Sequence, residues 1–310
     1  MRSRRLMATT LVVCLGVLLT SVTPTTAVAV APSGLLDHPL STGTGGRTML
    51  VEEVTATWCP SCAEIDPELV RVADSHGSRI ALIALHPSDG EDDFQPPASQ
   101  YRIDRINALR DEPVVSTPTF VVEGGEARVG YEAWTDVQRD ILSTELERDG
   151  MSELAFTVTP ENDMFRVTLN ELRLVESPGS QLTYMVLEHD KRVSSSSTNP
   201  GGPTRDRVLV GIAECAVDSG TVTERLGLVN ATTSDGCEHD FTIVFNATEH
   251  WSVVLVHEHI NDNGTTPSDA SLGAVELAYR PISSPSSDDF SLWVLATCGV
   301  IGIAALYRKV

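Results

Sequence analysis

Lysine is almost missing from this chain. Two occur in 310 residues, Lys191 and Lys309. Lysine and arginine together number 22 against 43 acidic residues, for a formal net charge of −21. A surface of that sign repels polyanions, which excludes generic nucleic-acid binding. It argues equally against docking of the soluble part on an anionic lipid surface. An acidic, lysine-poor surface is best tolerated in a salty medium, where ions screen the self-repulsion. Aromatic residues are scarce too, at 5%, so the cores must be mainly aliphatic. Hydrophobic residues still make up 41% and charged ones 21%, which supplies buried cores and excludes wholesale disorder. A length of 310 residues suits two domains of ordinary size.

The candidate export and membrane segments are apolar runs at the two ends. Residues 1–29 read as a secretory signal peptide. Arg2, Arg4 and Arg5 precede the apolar stretch Leu11–Leu19, and Ala27-Val28-Ala29 offers a small-x-small cleavage site. Phe290–Tyr307 is an uncharged stretch of 18 residues, about 27 Å as a helix, and reads as a transmembrane helix. Arg308 and Lys309 follow it, so the positive-inside rule places the C-terminus in the cytoplasm and everything upstream outside. The sequence thus predicts a single-pass protein of the cell membrane, held through its C-terminal helix, with residues 282–289 as a polar linker. A buried C-terminal helix and a cleaved GPI-type tail are the alternatives at this end, and an uncleaved anchor is the alternative at the other. Three sequons, at Asn230, Asn246 and Asn263, lie on the outward side and are candidate glycosylation sites.

Between the ends, the pattern changes near residue 150. Residues 45–150 alternate strand and helix signals. A β-rich run covers Thr48–Ala56, a helix Cys62–His76, and a nearly continuous apolar strand Arg79–His86. A second helix follows at Ala98–Arg110, a strand at Thr119–Val122 and a helix at Trp134–Arg148. Residues 151–281 instead show strand after strand, punctuated by turn clusters such as Ser194–Pro203, which suggests a β-sandwich. The fold class expected is an α/β domain, then an all-β sandwich domain, then one transmembrane helix.

Chemistry concentrates at Trp58-Cys59-Pro60-Ser61-Cys62. A Cys-x-x-Cys at a strand-to-helix junction has a physical logic. The helix N-terminus lowers the pKa of the first thiol, and the spacing lets the second resolve a mixed disulfide. Cys59 is therefore the expected exposed nucleophile and Cys62 the resolving thiol. An inert disulfide and half a zinc site are the alternatives; zinc needs a second ligand pair nearby. Cys215 and Cys237 are expected to form a structural disulfide, worth about 3 kcal/mol for a loop of this length.

These residues carry a resemblance. Glu52–Val122 resembles a thioredoxin-superfamily domain in its Trp-Cys-x-x-Cys, in Pro67 within the following helix, and in Ser116-Thr117-Pro118-Thr119 before a strand. It resembles most the outer-membrane-protein-twenty-eight-related branch, at Val51–Cys59, Ala84-Leu85-His86 and Asp93-Phe94. That resemblance implies a cis peptide at Thr117–Pro118 facing the cysteines and, with Trp58, a surface for client chains. It also aligns the superfamily's buried acid with Glu53, which would take the proton of Cys62. Glu52 is adjacent, and strand alternation sends the two to opposite faces.

Other features draw smaller expectations. His86 ends its strand near the site, and a solvent-exposed strand end is the favoured reading. His257 and His259 share a strand face, and Asp89–Asp93 is acidic; polar side chains at the surface and a solvated loop are favoured over metal binding. No cofactor is expected. The function predicted is a membrane-anchored extracytoplasmic thiol–disulfide oxidoreductase, acting on client proteins and reset by a membrane redox partner. A cell-surface binding or scaffold protein with an idle disulfide is the alternative.

Overall fold

The computed structural model describes residues 28–76, 79–108, 110–260 and 270–281. Two strands set the frame. Met49–Val54 (β3) and Ile80–Leu85 (β4) run parallel and are buried along their whole length. A parallel strand buried on both faces needs a neighbour at each edge and a layer over each face.

The edges are met as follows. Thr119–Val122 (β5) pairs antiparallel with β3, and Arg128–Val129 (β6) with β5. On the other side, β4 meets Val208–Ala216 (β12), where Val208 lies opposite Ala84 and the Ala84 N–H donates to the Arg207 carbonyl at 2.9 Å. The sheet then continues antiparallel through Ser180–Glu188 (β9), Trp251–His259 (β16) and Gly273–Tyr279 (β17). Val28–Val30 (β1) closes it, parallel to β17, and Thr221–Leu226 (β13) pairs with β12 at one side. The result is one ten-stranded mixed sheet.

A five-stranded antiparallel sheet lies apart from it. Its order is Asn230–Thr232 (β14), Thr242–Asn246 (β15), Met164–Arg173 (β8), Glu153–Glu161 (β7) and Leu40–Ser41 (β2). Lys191–Arg192 (β10) and Thr204–Arg205 (β11) form a separate short pair. Helices are Pro60–His76 (α1), Pro97–Ala108 (α2), Trp134–Glu147 (α3) and the single turn Cys237–Asp240 (α4).

Each sheet face has its own cover. Tyr184, Val253 and Leu255 of the large sheet meet Phe156, Val167 and Ile243 of the small one, in a sandwich core rich in rings. Beside it on the same face, Met49, Val51 and Leu82 pack under Ile65 and Leu69 of α1 and Val137 and Ile141 of α3. The opposite face is covered by α2, whose Ile103 and Ile106 join Leu50, Ile83, Met185, Leu209 and Val254.

This corrects the expected fold class. The α/β thioredoxin-like arrangement followed by an independent all-β sandwich is replaced by a mostly β molecule whose main sheet runs through both halves of the sequence. The reason is edge pairing: β4 would be an exposed edge in an isolated α/β unit, and β12 occupies that edge. Among the described residues, no helix is long and apolar enough to cross a membrane. The expected single-pass placement at a cell membrane is corrected on that finding; the span predicted at 290–307 and its linker 282–289 lie outside the described residues. So does the leader expected at 1–29, apart from Val28 and Ala29, which belong to β1.

Candidate active site

The Cys-x-x-Cys motif opens α1. After β3 the chain turns through Thr55–Trp58, with the Cys59 N–H donating to the Ala56 carbonyl at 3.2 Å. The helix begins at Pro60, where a missing N–H costs nothing. Cys59 and Cys62 are bonded, with Cα atoms 5.3 Å apart. The Cys62 N–H points at Cys59 Sγ at 3.1 Å, so an N-terminal donor of the helix addresses the first sulfur. Exposure differs from expectation: Cys59 is 3% exposed and Cys62 fully buried.

The two neighbouring glutamates of β3 point to opposite faces, and both faces are covered. Glu52 lies under α2, where Arg102 Nε donates to it at 2.6 Å. Glu53 lies on the α1 side, 2% exposed, and its Oε1 has no hydrogen-bond partner. Burial pushes the Glu53 carboxyl well above the usual carboxylate range, and the nearby Asp66 charge pushes it further. Asp66 sits one turn after Cys62 in α1, so the two share a helix face. Burial lifts Asp66 to about 6, against the pull of Arg205 and His86. Glu53, Asp66, His86 and Arg205 line a cavity of about 30 Å³.

His86 is not the solvent-exposed strand end expected. It is wholly buried, and its Nδ1 pairs with Asp92 Oδ2 at 2.8 Å. Asp92 is the organiser of the acidic loop: it also accepts the Thr57 N–H at 2.7 Å and the Phe94 N–H at 2.8 Å. Burial opposes ionisation of Asp92, but His86 and these N–H groups hold it at about 2. Asp89 accepts the Trp58 indole N–H at 2.9 Å. The loop thus spends carboxylates on shaping the approach to the cysteines.

The Thr117–Pro118 peptide is cis. Val54 pairs with Thr119, so this peptide enters the sheet at the end where β3 departs for Cys59. Pro118 is buried and Thr117 half-buried.

A contribution that sequence reasoning missed comes from the segment between β10 and β11. It passes over the first turn of α1, so closely that a Cβ on Gly201 would lie 2.9 Å from the Ala63 Cβ. Asp93 pins it, accepting from the Ser194 N–H at 2.6 Å and from the Ser197 hydroxyl. At its end Arg205 donates to the Thr57 carbonyl at 3.2 Å and to Asn199 Oδ1 at 2.7 Å, and its Nε lies 3.4 Å from Asp66. The spacing of Asp66 from Cys62 was a readable signal; nothing local marked Arg205.

Other predicted residues lie elsewhere. Cys215 and Cys237 are bonded, joining β12 to α4. Asn230 and Asn246 are exposed, and Asn263 lies outside the described residues. His257 is buried and bonds Ser152 at 2.8 Å. Among the described residues no group of three His, Cys, Asp or Glu side chains is placed to hold a metal. A chain from Asp206 through His189 to Ser252, at 2.6 and 2.8 Å, has the connectivity of a hydrolase triad. Ser252 is wholly buried in β16, so its hydroxyl is a structural tie and not a nucleophile.

No family model and no curated protein matches the chain. A solved structure of a protein from Agrobacterium tumefaciens is similar at 13% identity and a TM-score of 0.47, over 76% of this chain and 96% of that one. Neither a function nor a fold name transfers at that level of likeness.

Proposed function

We propose that this protein carries out thiol–disulfide exchange with cysteines of client proteins through Cys59 and Cys62, with Glu53 as the acid–base group. One observation carries the reading: the Cys59–Cys62 disulfide opens α1, the helix packed over the sheet face on which Glu53 is buried with its Oε1 unpartnered. The sequence resemblance of Glu52–Val122 to thiol oxidoreductases supports it.

A client thiolate attacks Cys59 Sγ; the Cys59–Cys62 bond breaks, and its electron pair leaves on Cys62. Neutral Glu53 gives Cys62 its proton and regains one from water. A second client thiolate attacks the client sulfur of the mixed disulfide, and Cys59 leaves as a thiolate facing the helix N-terminus. Two client thiols become one disulfide, and the protein pair is reduced by two electrons. The reverse sequence reduces a client disulfide, with Glu53 as base. A second thiol–disulfide couple resets the pair.

A second reading, a binding or scaffold protein with an idle disulfide, is favoured by the burial of both sulfurs. Glutathione titration of the full chain separates the two, with thiols counted by mass tagging and Cys59→Ser as control. Equilibration at a potential between about −270 and −120 mV supports the oxidoreductase. A pair that never exchanges leaves the scaffold.

A further inference from the structure

Taking Cys62 as the resolving thiol, which rests on the function proposed above, we infer that Glu53 and Asp66 share one proton across a water-sized cavity. Arg205, arriving from a distant part of the chain, is the positioning residue that sets how tightly that proton is held.

Three elements build the site. β3 supplies Glu53, α1 supplies Asp66, and the end of β4 supplies His86. The cavity they line, about 30 Å³, is large enough for one water molecule. Besides Thr55 Oγ1 and Arg205 Nε, two further polar atoms of its lining, Glu53 Oε1 and His86 Nε2, are buried and lack hydrogen-bond partners. A water there would satisfy both and link them to Asp66. His86 is itself fixed from behind by Asp92 at 2.8 Å.

The charges around the cavity sort by partner. Asp206 is engaged by His189 at 2.6 Å and by Arg207 at 2.8 Å. Arg207 also holds Asp74 at 2.9 Å. Arg280 holds Asp74 too, at 2.6 Å, so two carboxylates there face two guanidiniums, and Asp206 adds only the last of the pushes on Asp66. Arg205 is the cation directed at the carboxyls, with its Nε 3.4 Å from Asp66. Glu53 is buried and Asp66 keeps 27% of its side chain exposed, and two carboxylates on one small cavity do not readily ionise together, so the first proton lost leaves the second shared. The Arg205 charge is what makes that first loss attainable. Without it both carboxyls stay neutral to higher pH, and Cys62 loses the base that its deprotonation needs. The upward shifts of Glu53 and Asp66 and the downward pull of Arg205 on each agree with this arrangement.

The test is a carboxyl carbon NMR titration of the full chain in its disulfide form. Arg205→Met is expected to raise the midpoints of Glu53 and Asp66 by a tenfold or greater gain in proton affinity. The pH profile of glutathione exchange should move with them, and Arg205→Lys should restore both. Asp66→Asn is expected to lower the Glu53 midpoint, because a like charge is gone. A folded Arg205→Met protein with unmoved midpoints overturns the proposal. Should that variant not fold, an unmoved Glu53 midpoint in Asp66→Asn overturns it instead. Midpoints that shift as expected in a protein whose cysteines never exchange uphold the shared proton and sink the oxidoreductase.

Discussion

Glu52 and Glu53 are adjacent, equally buried and differently supplied. Glu52 has the Arg102 guanidinium at 2.6 Å, while Glu53 Oε1 has no partner. A raised carboxyl pKa has a definite sign in stability. Protonated Glu53 suits the fold, so its contribution is full below the unfolded value and is lost as pH rises toward the folded one. Glu53→Gln should therefore stabilise the protein more at pH 8 than at pH 5, by urea denaturation. The same variant should slow exchange by about 100-fold or more, the usual scale of a lost acid–base group. Equal stability effects at both pH values would show that Glu53 is not buried neutral. The pairing of Cys59 with Cys62 and the opposed directions of Glu52 and Glu53 were legible in the sequence. Asp66 was less so, because a carboxylate on an amphipathic helix reads as a surface charge. Arg205 was illegible, since its partners Thr57 and Asp66 are remote in sequence.

At the scale of elements, legibility followed periodicity. α1, β4 and β5 declare themselves by continuous apolar runs or a helical stripe. The two-residue strands β10 and β11 carry no such pattern, and Ser194–Pro203 reads as a plain turn cluster. Tertiary contacts give that segment its importance: Asp93 holds its near end, Arg205 its far end, and Gly201 lets it press on α1. The segment thus lies over the first turn of α1, next to the disulfide in sequence. Asp93→Ala removes the carboxylate that accepts from Ser194 and Ser197 while keeping the backbone bond to the Thr57 hydroxyl. Reduction of Cys59–Cys62 by a small thiol should then be several-fold faster, followed by stopped-flow under excess reductant. An unchanged rate would mean that the segment does not limit access.

Over the whole molecule, the decisive feature is one that local pattern could not reveal. Both halves of the sequence alternate or run apolar as separate units would, yet β4 and β12 pair across the boundary. The layer under α2 draws Leu50 and Ile83 from one half and Met185, Leu209 and Val254 from the other. Residues 28–150 expressed alone should consequently lack a cooperative thermal transition by calorimetry. A cooperative transition in that fragment would restore the two-unit description.

Charge ties the halves together as well, and it fixes where stability should peak. Arg102 of α2 bridges Glu52 at 2.6 Å and Glu258 of β16 at 2.9 Å. Burial alone would raise Glu258, but Arg102 and Arg105 prevail and hold it at about 2. A depressed carboxyl stabilises above its unfolded value, near pH 4.3, and that stability drains away as pH falls toward 2, on the order of 3 kcal/mol in all. Asp66 works in the opposite sense. Raised by burial to about 6, it favours the fold when protonated, and its contribution is lost between its unfolded value, about 3.9, and 6. Glu53, Glu123 and Glu214, all raised chiefly by burial, add to that neutral-side loss. Self-repulsion has the same sense, because a chain of pI 4.6 gains negative charge as pH rises. The urea midpoint should therefore be highest at about pH 4.5, below the range of about pH 5 to 8 where most proteins are most stable. Asp66→Asn should flatten the neutral limb and leave the acid limb in place. A maximum at pH 7 would mean that the buried carboxyls are ionised and paired, and would remove the physical basis for Glu53 as a neutral acid.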